Sequence, residues 1–254
     1  MGSMSETRIA VYDSRGSDYE QAFAVFLANT DQKDRAREWL EQTVARLPNR
    51  RTLIDAGAGT GKVTAWLTPH FSQTVAIEPN PHLREELQQN CPDATILPEP
   101  ILEARPGVQA DFVLTSHVFY YIPDEEWLPT LDRLVSFLAP GGQLAIVVQN
   151  EGTDCMRMLD HFLGQRFGLS ALAHRFGETH ADTHRWRIET VGSDIQTADF
   201  ETATTIAEFI LNLLPMSEPP LRRAVQDYVQ REFFRPGEGY RFSCSQDFLV
   251  IDHV

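Results

Sequence analysis

The stretch from Leu53 to Lys62 reads Leu-Ile-Asp-Ala-Gly-Ala-Gly-Thr-Gly-Lys, an apolar run that passes directly into a glycine-rich turn. Glycine lets a backbone turn tightly and approach a ligand with no Cβ in the way. Spacing separates the nucleotide-binding patterns that use such a turn. A phosphate loop requires GxxxxGK[ST]; here Ala56 stands at its first glycine and Val63 at its magnesium-binding hydroxyl, so Lys62 is a coincidence. A dinucleotide fingerprint requires GxGxxG, and Lys62 occupies its third glycine position. What remains is Gly57, Gly59 and Gly61 with Asp55 two residues ahead of the first, a DxGxGxG pattern. Glu78 follows the apolar Val75-Ala76-Ile77 and precedes Pro79. It falls about 20 residues past the loop, where a carboxylate can take both hydroxyls of a ribose. The bland alternative is that Glu78 caps the next helix.

DxGxGxG is the signature loop of class I methyltransferases dependent on S-adenosyl-L-methionine (SAM), which this segment resembles. The resemblance implies a SAM site drawn from Asp55, Gly57, Ala58, Gly59, Glu78, Pro79, Leu83, Glu99 and Ser116. Glu99, between Pro98 and Pro100 after the third strand, is the polar candidate for the adenine side. Ser116 and His117 end the fourth strand, where acceptor and sulfonium would meet. Methyl transfer from a sulfonium is an in-line displacement that requires neither a metal nor a covalent enzyme intermediate. Most of its acceleration comes from holding a lone pair opposite the departing sulfur. A base is required only if the acceptor arrives protonated. His117 is the candidate, either as that base or as a group that orients the acceptor or the loop. A His180-x3-His184 pair with Asp182 between could share one helix face, but no further ligand is identifiable, so no metal is expected.

These residues need a scaffold. Short β-branched apolar runs read as buried parallel strands at Thr52–Ala56, Thr74–Ile77, Ala94–Leu97, Phe112–Thr115 and Leu144–Val148. Helical stretches near 61–70, 80–90 and 124–138 alternate with them, the last stopped by Pro140-Gly141-Gly142. Strand alternating with helix predicts an α/β, Rossmann-like doubly wound sheet, and the resemblance extends it to seven strands, mostly parallel with an antiparallel C-terminal strand. Before this core, to about Pro48, apolar residues recur at helical spacing: Tyr19, Phe23, Phe26, Leu27, then Trp39, Leu40, Val44 and Leu47. After it come a helix around 154–167, a polar stretch with His174, His180 and His184, a strand-like run near 186–199, helices near 202–214 and 219–232, and a strand around Phe248–Ile251. The division expected is 1–48 as a helical lid, 49–150 as the cofactor-binding core, and 151–254 completing the same domain and the acceptor pocket.

Composition narrows the partners. With 36 acids against 22 bases the formal charge is −14, and the bases are scattered singly. Proteins that neutralise phosphates carry a basic face, so no nucleic-acid partner is expected. The acidity suits solubility, or steering of a cationic acceptor. No apolar run is long enough to span a membrane, and nothing at the start reads as a signal peptide. Cys91, Cys155 and Cys244 are far apart with no CxxC pair, which fits a reducing, cytoplasmic setting. Met1-Gly2-Ser3-Met4 reads as an expression remnant, with the natural start expected at Met4.

Over most of its length the chain is also similar to the histamine N-methyltransferase family. The matching stretches, in order, are Tyr19-Glu20-Gln21-Ala22-Phe23-Ala24-Val25-Phe26-Leu27, His117-Val118-Phe119-Tyr120-Tyr121-Ile122, Leu144-Ala145-Ile146-Val147-Val148 and Phe248-Leu249-Val250-Ile251. That likeness implies a lid helix carrying Tyr19 and Phe23, with Tyr12 just ahead of it, and a pocket holding Tyr120 and Tyr121. Catalytic candidates are then His117, Tyr19 and Tyr121, and substrate candidates Tyr12, Phe23, Gln32, His117, Tyr120 and Cys244. Core packing is the competing role for Phe23 and Phe26. The acceptor-holding positions depart from the family: Gln32 replaces a lid glutamate, His117 a glutamine, Cys244 an asparagine, and the tryptophans after the fifth strand have no counterpart. The cofactor half of the likeness is kept and the acceptor half is not. The expected function is SAM-dependent N- or O-methylation of a small molecule, an amine among the candidates. The alternatives are a SAM enzyme of the same fold that cyclises SAM and releases methylthioadenosine, and a non-catalytic SAM sensor.

Overall fold

A computed structural model describes residues 7–12 and 17–254; the start at Met4 lies outside the described residues. The chain divides into two compact units. The larger comprises Arg37–Val148, Gly168–Thr190 and Asp247–Val254; the smaller is built from the described residues up to Ala36, Gln149–Phe167 and Val191–Gln246.

The larger unit is organised on a seven-stranded sheet. Its strands are β1 (Thr52–Ala56), β2 (Gln73–Ile77), β3 (Thr95–Leu97), β4 (Ala110–Ser116), β5 (Leu138–Gln149), β6 (His184–Val191) and β10 (Gln246–His253), in the spatial order β3-β2-β1-β4-β5-β10-β6. The sheet is mostly parallel with one antiparallel strand. β1 pairs in parallel with β2 on one side and β4 on the other, and β4 with β5. Every residue of β1 is buried, so its apolar Leu53, Ile54 and Ala56 cover both faces of the strand and show no simple alternation, with Asp55 as its buried carboxylate. The crossovers carry α3 (Lys62–Leu67), α4 (Pro81–Asn90) and α5 (Trp127–Val135). The chain order reverses at β1, where β2 and β4 lie on opposite sides, and ligands of such sheets bind at the strand carboxyl ends beside this switch point.

The expected Rossmann-like architecture is therefore present, with β1 at its expected bounds. Four local readings are corrected. Pro140-Gly141-Gly142 does not stop a helix: α5 ends at Val135 and the three residues belong to β5. Ala110 pairs with Leu138 and Phe112 with Gln143, so the intervening residues bulge out of the ladder. Gly142 is required there, because a Cβ would stand 2.7 Å from the Ala110 carbonyl oxygen. The polar stretch after 168 is a helix, α7 (Ser170–His180), whose buried Leu172, Ala173 and Phe176 form a narrow apolar stripe. His180 ends α7 and His184 begins β6, so the two do not share a helix face. The run 186–199 is two strands, β6 and β7 (Asp194–Thr197), which enter different sheets.

The smaller unit contains α1 (Ser17–Ala28), α6 (Asp154–Leu163), α8 (Phe200–Leu211), α9 (Arg222–Glu232), β8 (Phe234–Arg235) and β9 (Gly239–Ser243). β7, β9 and β8 form an antiparallel three-stranded sheet in that order. The N-terminal segment is two helices, α1 and α2 (Gln32–Arg46), broken where Thr30 bridges Ile195. On α1, the rings of Tyr19, Phe23 and Phe26 gather around Phe209 of α8 at centroid distances of 5.5, 5.6 and 5.4 Å. Phe26 is buried and Phe23 half-buried, so core packing holds for Phe26 and in part for Phe23. Residues 7–12 lie alongside the α8–α9 connection, with Ile9 N donating to Pro220 O at 3.0 Å and Arg222 N donating to Thr7 O at 2.9 Å.

Candidate active site

The glycine loop leaves β1 with three left-handed backbones, Gly57 at φ 83°, Gly59 at φ 58° and Gly61 at φ 79°. L side chains with a Cβ rarely adopt that region, so the DxGxGxG spacing has a conformational cause. The three glycines differ in what faces them. A Cβ on Gly57 would stand 2.3 Å from Val118 Cγ2, and one on Gly61 2.6 Å from Leu87 Cδ1. A Cβ on Gly59 would meet nothing within 4 Å. The first and third glycines therefore allow close packing within the protein, while the middle one faces open space. The loop is held down by its own backbone, as Gly57 N and Ala58 N both donate to Ile77 O, at 2.8 and 3.0 Å.

Glu78, buried at the end of β2, is the second part of this site. Its Oε2 accepts from Gly59 N at 2.8 Å and its Oε1 from Asn80 N at 2.8 Å. The cap of α4 is Asn80, whose side chain accepts from His82 N. Glu78 thus ties the middle glycine to the end of β2 instead of capping the helix. Each carboxylate oxygen offers about two lone-pair sites, so backbone bonding leaves acceptor capacity for a diol.

Asp55 lies beneath the loop, buried, with Oδ2 accepting from Thr64 Oγ1 at 2.6 Å. Burial pushes its carboxyl up to about 6, the Thr64 hydroxyl opposes that rise, and the nearby Glu78 charge adds to it. Its one described hydrogen bond therefore fastens β1 to α3. Pro79 and Glu99 are exposed and Leu83 is half-buried. Thr64, Asn80 and Asn90, whose Nδ2 donates to Thr60 O at 2.7 Å, were not anticipated. The signal for Asn80 was present in the sequence, since Asn before Pro at a helix start is a capping pattern.

At the end of β4, Ser116 is half-buried and His117 leaves the sheet with φ 58°, the one non-glycine residue with positive φ among the described residues. His117 N donates to Val147 O at 2.8 Å, which holds the strained backbone in place. Uncommon conformations of this kind concentrate at functional positions. His117 Nδ1 lies 3.2 Å from Tyr120 Oη, and Val118 packs against Gly57. The β4 end and the glycine loop are thus in contact. Tyr121 is 64% exposed.

The remaining candidates lie in the smaller unit. Gln32 and Cys244 meet: Gln32 Nε2 donates to the Cys244 carbonyl at 2.6 Å. The Cys244 thiol is buried beside the hydroxyls of Thr30 and Ser193 at 3.3 and 3.4 Å, and burial pushes it up. Tyr12 N donates to Asn212 Oδ1 at 2.8 Å, and Tyr19 and Phe23 belong to the Phe209 cluster.

The arrangement fits SAM on two observations: open space in front of Gly59, and a buried carboxylate bonded to that residue's N–H. Comparisons with known proteins agree. A family model described as a methyltransferase domain matches residues 28–204. A Mycobacterium tuberculosis protein named uncharacterized methyltransferase Rv3342 is 28% identical over 133 residues, 51% of each chain, so the chain spans about half the length of the curated relatives it matches. Among solved structures, YcgJ from Bacillus subtilis superposes with a TM-score of 0.58 at 12% identity, over 84% of this chain and 97% of that one. The N-methyltransferase NodS from Bradyrhizobium japonicum, in complex with S-adenosylhomocysteine, gives 0.52 at 17% identity over 94% and 99%. These two are likenesses of fold. The match over residues 28–204 establishes that the chain belongs to the methyltransferase-domain family, whose methyl donor is SAM.

Proposed function

We propose that the chain methylates a small molecule at nitrogen or oxygen, with SAM held on the glycine loop and the acceptor presented at the end of β4. The observation that carries this reading is the junction of the two half-sites. Val118, next to the strained His117, packs directly on Gly57, and Gly59 faces open space one residue beyond Ala58. Bound there, SAM supplies an electrophilic methyl on a positively charged sulfur. The protein's part is positional. Gly59 gives the cofactor room, Glu78 aligns the Gly59 N–H and offers its remaining lone pairs to the ribose, and His117 meets the acceptor. The scattered basic residues and the charge of −14 support a small acceptor over a polyanion. The histamine N-methyltransferase likeness supports a lid role for α1, the helix that carries Tyr19 and Phe23. In the present fold Gln32 and Cys244 are bonded to each other, which fits an acceptor different from histamine.

The test is the fate of SAM incubated with the protein and a panel of small acceptors. Mass spectrometry is expected to find S-adenosylhomocysteine and a product heavier by one methylene. Methylthioadenosine, or binding with no turnover on any acceptor, would sink the proposal.

A further inference from the structure

The crest of the glycine loop is held from both sides by the protein itself. Gly61 N donates to Ala58 O at 2.9 Å, which closes a turn with Gly59 and Thr60 at its centre. On one side of that turn Glu78 Oε2 accepts from Gly59 N at 2.8 Å and fixes the Ala58–Gly59 peptide. On the other, Asn90 Nδ2 donates to Thr60 O at 2.7 Å and fixes the Thr60–Gly61 peptide. Between these two anchors lies the Gly59–Thr60 peptide, where a Cβ on Gly59 would meet nothing within 4 Å.

Asn90 is the last residue of α4, and one face of that helix supports the loop. A Cβ on Gly61 would stand 2.6 Å from Leu87 Cδ1 and 3.1 Å from Cys91 Sγ. Leu87, Asn90 and Cys91 recur at i, i+3 and i+4, the spacing that brings side chains to one side of a helix. Arg84, one turn earlier, donates through Nη1 to Glu78 O at 2.9 Å and to Pro79 O at 2.7 Å. A closed ring results. The end of β2 holds α4 through Arg84, α4 holds Thr60 through Asn90, and the loop returns to β2 through Gly59 and Glu78. An asparagine at the end of a helix commonly serves that helix. Here the Cys91 N–H closes the helix on Leu87 O, and the Asn90 amide bonds a carbonyl 30 positions away.

We infer, on the reading that SAM lies on this loop, that Asn90 is a positioning residue: it sets the plane of the Thr60–Gly61 peptide and so preorganises the loop crest for the cofactor. Glycine has more backbone freedom to lose than any other residue, and this loop carries Gly57, Gly59 and Gly61. Released from Asn90, the crest samples other conformations and the cofactor has to order it on binding. Ordering a loop at the moment of binding subtracts from affinity, and a loop ordered in advance avoids that cost. Fixing the backbone of one residue is worth about a tenfold change in affinity. Asn90 is exposed, so its loss falls on the cofactor's affinity and not on the fold.

The test is calorimetry of the full chain with S-adenosylhomocysteine, run beside thermal melting. Asn90→Ala is expected to bind about tenfold more weakly than the parent at about pH 7.5 and to melt within a few degrees of it. Asn90→Asp keeps the shape, but its ionised carboxylate has no hydrogen to donate and repels the Thr60 carbonyl oxygen. It is expected to bind more weakly than Asn90→Ala at that pH. A protonated carboxyl donates again, so the affinity of Asn90→Asp relative to the parent is expected to rise as pH falls toward about 4.5. Parent-like affinity in Asn90→Ala, a pH-independent ratio in Asn90→Asp, or melting temperatures that fall in step with affinity would overturn the inference. Gly59→Val separates it from the reading on which it rests. If Gly59→Val binds as the parent does, or the parent does not bind, SAM does not lie on this loop. If Gly59→Val fails to bind while Asn90→Ala binds normally, only the role of Asn90 is lost.

Discussion

Gly57 and Gly59 look alike in sequence and face different surroundings, and the difference makes a paired prediction. Gly59→Val adds a branched side chain to open space in front of the loop, at a φ that disfavours it. It is expected to abolish SAM binding in calorimetry while melting within a few degrees of the parent. Gly57→Val drives a Cβ toward Val118 and is expected to lower the melting temperature as well. Equal loss of stability in both would contradict the assignment of open space to Gly59. Glu78 needs a finer probe than alanine, because its carboxylate also holds Gly59 N and Asn80 N. Glu78→Gln keeps one oxygen for the backbone and loses the charge. It is expected to weaken SAM by about 1.5–3 kcal/mol, the range for bonds to a charged group. Unchanged affinity in that variant would leave Glu78 with the structural task alone.

Among the elements, α1 bears most on the proposed function. Its inner face packs on Phe209, the shared partner of three α1 aromatics, so α1 has tertiary contacts of its own. Phe209→Ala is expected to cost about 3–5 kcal/mol, the range for removing a buried aromatic. Retained thermal stability would show that the cluster contributes little. The lid proposal asks for more than packing. A closing element is drawn from the less stable parts of a fold and gains order with ligand. Hydrogen exchange across 17–28 is therefore expected to slow when S-adenosylhomocysteine is added, and to slow less in the strands of the large sheet. Identical exchange with and without ligand would make α1 a structural helix.

For the molecule as a whole, the acid–base behaviour of two buried groups shapes stability. Asp55 titrates at about 6 in the fold, above an ordinary carboxyl, because burial disfavours its charge. Its favourable contribution is complete below the unfolded value of 3.8 and is lost as pH rises through about 6. Each unit corresponds to 1.36 kcal/mol, so the ionised group costs up to about 3 kcal/mol at pH 8. Asp55→Asn, which can keep the Thr64 bond, is expected to melt higher than the parent at pH 8 and nearly with it at pH 4. His184 acts from the other side. Burial, then His253 and His180, hold it below the usual histidine value of 6.5. The fold favours its neutral form, so this contribution is complete above 6.5 and is lost as pH falls below that value. His184→Gln is expected to flatten the acid limb of the melting profile below about pH 6.5. A Gln variant with an unaltered acid limb would assign that loss to other groups.

Much of the cofactor half was written in local sequence. Buried parallel strands need continuous apolar runs, and left-handed turns need glycine, so β1, the glycine loop and Glu78 could be placed by spacing alone. The tertiary fold decided what spacing does not encode. The bulge at residues 139–142 exists because Ala110 lies against Gly142, and α7 exists because a narrow stripe on a polar helix found a buried partner. The left-handed His117 depends on a carbonyl from the neighbouring strand, and its link to Tyr120 on the turn that follows. The smaller unit gathers three distant pieces of chain, where Gln32 meets Cys244 across 212 positions. Local sequence specifies backbone geometry and burial, which act over a few residues. Which side chains face one another across a fold is settled only when distant segments pack.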